Sequence, residues 1–155
     1  MVVSGIERDY IIHDENQIKG FFGDYRFLSN FHVGEVIFEG DKYPSSENAY
    51  QAAKCTVLSD RNQFMTCSPS QSKKLSKTIS VRENWHSYKY DIMAVIVLDK
   101  FYRNIELREQ LVNTGKRYLE ETNHWGDVYW GVCNGKGENK LGKILMGVRA
   151  IWNSK

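Results

Sequence analysis

The sequence predicts one domain that joins several helices to a small amount of strand, and three observations carry that reading. From Trp85 to Asn104 no glycine or proline interrupts the chain, and Tyr88, Ile92, Val95 or Ile96, and residues 99–102 keep near-helical spacing, which predicts the longest and central helix. Residues 35–38 and 42–43 flank Glu39-Gly40-Asp41, the pattern of a β-hairpin. The composition, 155 residues with 41% hydrophobic and 26% charged, suits a globular chain. A chain of this length buries roughly 70% of its extended surface and folds without disulfide or metal.

Taken in order, residues 1–16 read as an irregular, peripheral N-terminal segment of that single domain, and the first candidate strand covers 17–22. In Tyr25-Arg26-Phe27-Leu28-Ser29-Asn30-Phe31 aromatic side chains alternate with polar ones. Ser29 and Asn30 suit either a pocket wall or a turn held by side-chain to backbone bonds. After the hairpin, Pro44 precedes a helix that Ser45 or Ser46 can cap, with Glu47 at the positive end of the dipole. Glu47, Tyr50, Gln51 and Lys54 stand at i, i+3, i+4 and i+7 and share one face. A carboxylate, a phenol, an amide and an amine then point the same way, as a site or as a solvated stripe.

Ser59-Asp60 can cap a short helix over 61–66, and Ser68-Pro69 starts another, on which Lys73, Lys74 and Lys77 form a basic face that reads as solvated surface. Trp85 opens the long helix either as a rim aromatic that stacks on a ring or as core. A shorter helix over 105–114 ends at Gly115, placed for a positive φ. Residues 125–142 combine tryptophans, Asp127, repeated glycines and lysines before an apolar helix through Ile144, Leu145, Val148 and Trp152. Such a glycine-rich turn either presents backbone amides to an anion or serves as a flexible connector. It does not have the G-x-x-x-x-G-K-[ST] spacing of a nucleotide triphosphatase loop.

Composition excludes several classes. A net charge of +2 is too small to be a nucleic-acid footprint by itself. Cys55, Cys67 and Cys133 form no C-x-x-C pair and read as free thiols of a reducing cytoplasm. The charged start of the chain and the lack of a long apolar run predict an unexported, cytoplasmic protein without a membrane span. His13, His32, His86 and His124 are scattered without zinc spacing, so no metal is expected.

Several separated motifs, in order, point further: Phe27-Leu28-Ser29-Asn30-Phe31; Ser46-Glu47-Asn48-Ala49-Tyr50-Gln51-Ala52-Ala53-Lys54; Asn84-Trp85; Asp127-Val128-Tyr129-Trp130-Gly131; and Gly135 through Met146. Across about residues 20–150 the chain resembles the NADAR family, also called YbiA-like. The resemblance implies a compact α+β domain, mostly helical, with a small antiparallel sheet. It implies an N-glycosidase, a hydrolase acting on the bond between a phosphorylated ribose and a base or amine. Substrates implied are phosphoribosyl intermediates of riboflavin biosynthesis and ADP-ribose on guanine, in nucleotides or nucleic acid. No metal or organic cofactor is implied. The family's acidic residue falls on Glu47, its lysine on Lys54, its N-W tryptophan on Trp85, and its D-x-Y-W-G motif on Asp127 and Trp130. Val132, Cys133 and Asn134 depart from the glycine and histidine of some relatives, which bears on the leaving group.

Cleaving an N-glycosidic bond passes through an oxocarbenium-like sugar, which calls for negative charge near the anomeric carbon and a base for water. Glu47, Asp127 and Lys54 are the candidate catalytic residues. Trp85 and Trp130 suit ring stacking, and Arg26, Ser29, Asn30, Tyr50, Gln51, Gly135, Gly137 and Asn139 are candidates for phosphate, ribose or base contacts. The competing reading is a module that binds ADP-ribose or a related nucleotide without cleaving it. Two carboxylates beside an anionic ligand count against that.

Overall fold

The computed structural model describes residues 10–154 and the backbone pairing of two short strands before them. In chain order the elements are β1 (Val2–Val3), β2 (Ile6–Glu7), β3 (Ile12–His13), β4 (Gln17–Lys19), a 3-10 helix (Gly23–Leu28), β5 (Val33–Phe38), β6 (Asp41–Ser45) and α1 (Ser46–Ala53). A 3-10 helix (Leu58–Met65), α2 (Pro69–Leu75), a 3-10 turn (Ser76–Thr78), α3 (Trp85–Arg103) and α4 (Ile105–Asn113) follow, then β7 (Tyr118–Glu120), β8 (Thr122–Asn123), β9 (Val132–Cys133) and α5 (Lys140–Asn153). The class is α+β with helix predominating. Alongside the expected antiparallel hairpin, two pairs of short strands run parallel, β4 with β7 and β8 with β9. No helix among the described residues is long and apolar enough to cross a membrane.

Packing groups the chain into two units, Asn30–Ile105 and the combination of Met1–Ser29 with Glu106–Lys155. In the first, β5 and β6 form the predicted hairpin, with Val36 opposite Tyr43 and Phe38 opposite Asp41. Glu39 and Gly40 both take positive φ, 48° and 87°, the two-residue turn whose twist matches that of the strands. Ser45 is the cap of α1: its hydroxyl accepts from the Asn48 amide at 3.1 Å and donates to Asn48 Oδ1 at 2.5 Å. Ser68 and Gln71 close a reciprocal capping box on α2, with Pro69 in the first turn as the sequence predicts. The 61–66 segment differs. Residues 61–65 lie in a 3-10 helix that begins at Leu58, has no side-chain cap and ends before Thr66.

Helix α3 runs 19 residues, close to its predicted bounds, and of the spacing read from the sequence it buries Ile96 and Phe101 but not Tyr88 or Val95. Trp85, Met93, Ile96, Val97 and Phe101 are buried, whereas Tyr88, Val95 and Tyr102 are exposed. Contacts with β5 set that rotation. Asp99 Oδ2 accepts from the Ile37 amide at 2.8 Å, and Asn104 Nδ2 donates to the Glu35 carbonyl at 2.9 Å.

In the second unit, β3 pairs antiparallel with β4 and β4 pairs parallel with β7, setting Ile18 beside Leu119, both fully buried. The 1–16 segment is therefore not all irregular, although residues 1, 4, 5, 8 and 9 lie outside the described residues. Strand β4 stops at Lys19 because Gly20 turns to φ +91°. The alternating 25–31 stretch is not extended either. Gly23 turns the chain, and Tyr25 and Ser29 amides donate back three residues, to Phe22 and Arg26, winding a 3-10 helix that buries Phe27 and Leu28. Gly115 ends α4 with φ +70°, as expected. Helix α5 lays Leu141, Ile144, Leu145 and Val148 inward and packs on β7.

Candidate functional site

Helix α1 carries the polar stripe that the sequence singled out, and all eight of its residues are buried. A solvated stripe is thereby excluded. Glu47 is 6% exposed. Gln51, one turn on, donates from Nε2 to Glu47 Oε2 at 2.6 Å, which fixes both rotamers. The Glu47 amide donates to the Asn30 carbonyl at 3.0 Å, and Asn30 Nδ2 lies 3.4 Å from the sulfur of Met93. Thus Asn30, a candidate from the sequence, anchors the first turn of α1 to its surroundings.

At the other end of α1, Lys54 is half-buried with its Nζ 5.2 Å from the centre of the Tyr50 ring. Tyr50 in turn lies 5.3 Å from the Trp85 ring at 55°. Burial holds the Lys54 ammonium below its usual pKa; Glu47 opposes that shift, and the charges of Lys73 and Lys89 reinforce it. Trp85 is a buried ring. One helix and the start of another therefore bring together a fixed carboxylate, a destabilised ammonium and two aromatic rings.

The remaining candidates belong to the other unit. Asp127 Oδ1 accepts from the amides of Tyr129 at 3.1 Å and Trp130 at 2.9 Å, a side-chain turn that orients the Trp130 backbone. Asn123 clamps the same turn: its Oδ1 accepts from the Asp127 amide at 3.0 Å, and its Nδ2 donates to the Asp127 carbonyl at 2.9 Å. Asn139 opens α5 in the left-handed region, φ 51°. Its Oδ1 accepts from the Glu121 amide at 3.0 Å, and its Nδ2 donates to the Leu119 carbonyl at 2.9 Å and to the Tyr118 hydroxyl at 3.2 Å.

Asn134 and Gly135, at φ 52° and 75°, form a tight turn closed by two bonds between Cys133 and Lys136, of 2.8 and 3.0 Å. Gly137 is required by close approach, since a Cβ there would meet the Gly131 carbonyl oxygen. The amides of Glu138, Asn139, Lys140 and Leu141 donate to the carbonyls of Val128, Gly131, Tyr129 and Trp130. The four amides that lead into α5 are thus already bonded to the preceding turn. Arg26 lies exposed on the 3-10 helix and Ser29 follows it, half-buried.

Two residues escaped the sequence reading. Lys73 was assigned to solvent and Lys89 had no role, yet both act electrostatically on Lys54. Lys89 stands at i+4 from Trp85, a helical spacing that places it on the tryptophan's face.

Residues 14–152 match the NADAR domain. The chain belongs to the NADAR family. The N-glycosidase YbiA of Shigella flexneri serotype 5b is 35% identical over 130 residues, covering 81% of this chain and 81% of the relative. Riboflavin biosynthesis protein VVA0006 of Vibrio vulnificus is also 35% identical over 130 residues, 81% of this chain, which matches only 35% of that longer protein. Among solved structures, this NADAR chain resembles the NMR structure of Escherichia coli YbiA with a TM-score of 0.79 and 30% identity, covering 95% of this chain and 90% of the other.

Proposed function

We propose that this NADAR chain is an N-glycosidase that hydrolyses the bond between a phosphorylated ribose and the nitrogen of a base or amine. The observation that carries the reading is the buried Glu47, held at 2.6 Å by Gln51 on the helix that also bears Lys54. Relatives named N-glycosidase and riboflavin biosynthesis protein support it.

In this reading Glu47 takes a proton from water as the water oxygen bonds to the anomeric carbon, and its charge offsets the cationic sugar. The carbon–nitrogen bonding pair leaves with the nitrogen, which takes a proton from solvent, and Glu47 returns the proton it took to solvent, so that water is added across the bond. Gln51 keeps the carboxylate aimed, and Lys54 balances its charge and meets substrate oxygens. Tyr50 and Trp85 provide aromatic surface, and Asp127 holds the turn that carries Trp130. Substrate classes are a phosphoribosyl intermediate of the riboflavin pathway and ADP-ribose joined to guanine, free or in nucleic acid.

The test is incubation with both substrates and mass detection of the released base or amine. Glu47→Gln is expected to lower kcat by about 10²- to 10⁴-fold with an unchanged melting temperature. Wild-type turnover in a folded Glu47→Gln variant overturns the role of Glu47. Tight binding of ADP-ribose with no turnover of either substrate by the unaltered protein replaces the enzyme with a binding module.

A further inference from the structure

We propose that Gln51 does more than aim Glu47 and is itself a catalytic residue, its Oε1 accepting one proton of the attacking water while Glu47 receives the other. This rests on the N-glycosidase reading and deepens it. Gln51 is 5% exposed, and its Nε2 donates to Glu47 Oε2 at 2.6 Å. An ionised carboxylate only accepts hydrogen bonds, so the amide must turn its NH2 group toward Glu47. A flipped amide would set two oxygens against each other. The same bond therefore fixes where Oε1 stands, on the other arm of the amide carbon.

That oxygen is buried and has no hydrogen-bond partner among the described residues. An orphaned buried acceptor destabilises a fold, so keeping one calls for a donor that arrives with the reaction. Tyr43 Oη, Ser46 Oγ and Ser72 Oγ are buried without partners too, but a hydroxyl proton turns and a hydroxyl both donates and accepts. Gln51 Oε1 can only accept, and its direction is set. One molecule answers both side chains. Water carries two protons, and the bond between Gln51 and Glu47 keeps their acceptors side by side, whereas a ribose hydroxyl has a single proton and serves one of them. The clamp is also held at its root, since the Glu47 amide donates to the Asn30 carbonyl at 3.0 Å. With both protons engaged, a lone pair of the water oxygen is left for the anomeric carbon. As that bond forms, one proton passes to Glu47. The second stays on the oxygen, bonded to Gln51 Oε1, and ends in the anomeric hydroxyl of the released sugar. The carbon–nitrogen pair leaves with the nitrogen, which takes a proton from solvent, and Glu47 gives its proton back to solvent.

Two measurements test this. In a crystal structure of the unaltered protein, a water is expected within about 3.2 Å of both Gln51 Oε1 and a Glu47 carboxylate oxygen. A protein donor on Oε1, or no water between the two side chains, overturns the proposal. Turnover is then followed in water–methanol mixtures with the N-ribosyl substrate that the unaltered protein hydrolyses, comparing free sugar with methyl riboside. Methanol has one hydroxyl proton, which goes to Glu47, so its attack does not use Gln51. Gln51→Met keeps the length of the side chain without either polar group, and Gln51→Lys keeps a donor to Glu47 without an acceptor. Both are expected to lower kcat for hydrolysis roughly ten- to a hundredfold with little change in KM, and to raise the ratio of methyl riboside to free sugar about tenfold. A merely structural role, in which Glu47 is loosened, slows both attacks alike. A ratio that does not rise, or hydrolysis at the unaltered rate, therefore overturns the water contact and leaves the N-glycosidase reading standing. Should one variant fail to fold, the other carries the comparison, and the crystal structure needs neither. Failure of the unaltered protein to hydrolyse any N-ribosyl substrate overturns that reading instead, and the nucleophilic role of the water with it.

Discussion

Helix α1 drew attention in the sequence for polar side chains sharing one face and residues 125–142 for a carboxylate among rings, glycines and lysines, and the two regions spend their polar side chains in opposite ways. In the loop, Asn123, Asp127 and Asn139 are bonded to main-chain groups nearby, and Gly131 and Gly137 admit carbonyl oxygens where a Cβ cannot fit. In α1, Ser45 and Asn48 satisfy the backbone, but Glu47 and Gln51 bond to each other and Lys54 loses proton affinity to burial. Loop residues consolidate a structure, while α1 keeps a buried carboxylate bonded to an amide and leads into a lysine whose charge burial disfavours. A buried, oriented carboxylate near an ammonium that burial destabilises is the pattern expected of a site that reacts or binds.

The comparison is broken most severely, if it is wrong, at Gly131. A Cβ there would stand 2.0 Å from the Glu121 carbonyl oxygen and 2.8 Å from Asn123 Nδ2. Gly131→Ala is expected to destabilise by about 3 kcal/mol or more, because the clash is with backbone that cannot step aside. Urea unfolding measures it. A loss below about 0.5 kcal/mol would show that the loop is loosely held and its glycines are free for ligand contacts after all.

Asn139→Ala comes next. The substitution strands the Glu121 amide and the Leu119 carbonyl, and the expected loss is about 2–3 kcal/mol. An Asn139→Ala protein of normal stability with raised KM would return Asn139 to the substrate-binding group, where the sequence had put it.

How far the sequence could be read follows from which signals are local. Ser45, Ser68 with Pro69, Gly40 and Gly115 act within a few residues of themselves, so the caps, the hairpin and the end of α4 were all legible. The rotation of α3 was not. Tyr88 and Val95 satisfy helical spacing as well as Met93 and Val97 do, and the buried face is selected by contacts distant in sequence, among them the bonds from the Ile37 amide to Asp99 and from Asn104 to the Glu35 carbonyl. The parallel pairing of β4 with β7 joins residues about a hundred positions apart and left no local trace. Asn134-Gly135 was a readable turn signal, but it was absorbed into a generic glycine-rich stretch. For the site, the spacing of Glu47, Gln51 and Lys54 gave a shared face, whereas burial of that face depends on α2, α3 and the hairpin. Lys73 could not be told from Lys74 without knowing which way α2 turns.

The smallest expected effect has the opposite sign and sharpens the comparison most. Lys54 is held below its ordinary pKa of 10.5, chiefly by desolvation, with Lys73 and Lys89 adding to the shift. Below the folded-state pKa the lysine is charged in both folded and unfolded chains, and the full cost of holding that charge falls on the folded state. As pH rises through the folded-state pKa, the folded protein releases the proton before the unfolded chain does, so this contribution to stability improves until the unfolded pKa is passed. Lys54→Met removes the charge and cannot titrate. At neutral pH it is expected to be more stable than the unaltered protein by a fraction of a kcal/mol, roughly 0.5, since Lys54 keeps some contact with water. The gap should close toward pH 10.5, the ordinary value. Denaturation of both proteins across that range checks the sign. If Lys54→Met is instead less stable at neutral pH, attraction between Lys54 and Glu47 outweighs desolvation, and the two residues form a structural pair like those of the loop. A stabilised Lys54→Met that has also lost turnover would mark Lys54 as a group kept for its chemistry against its effect on the fold.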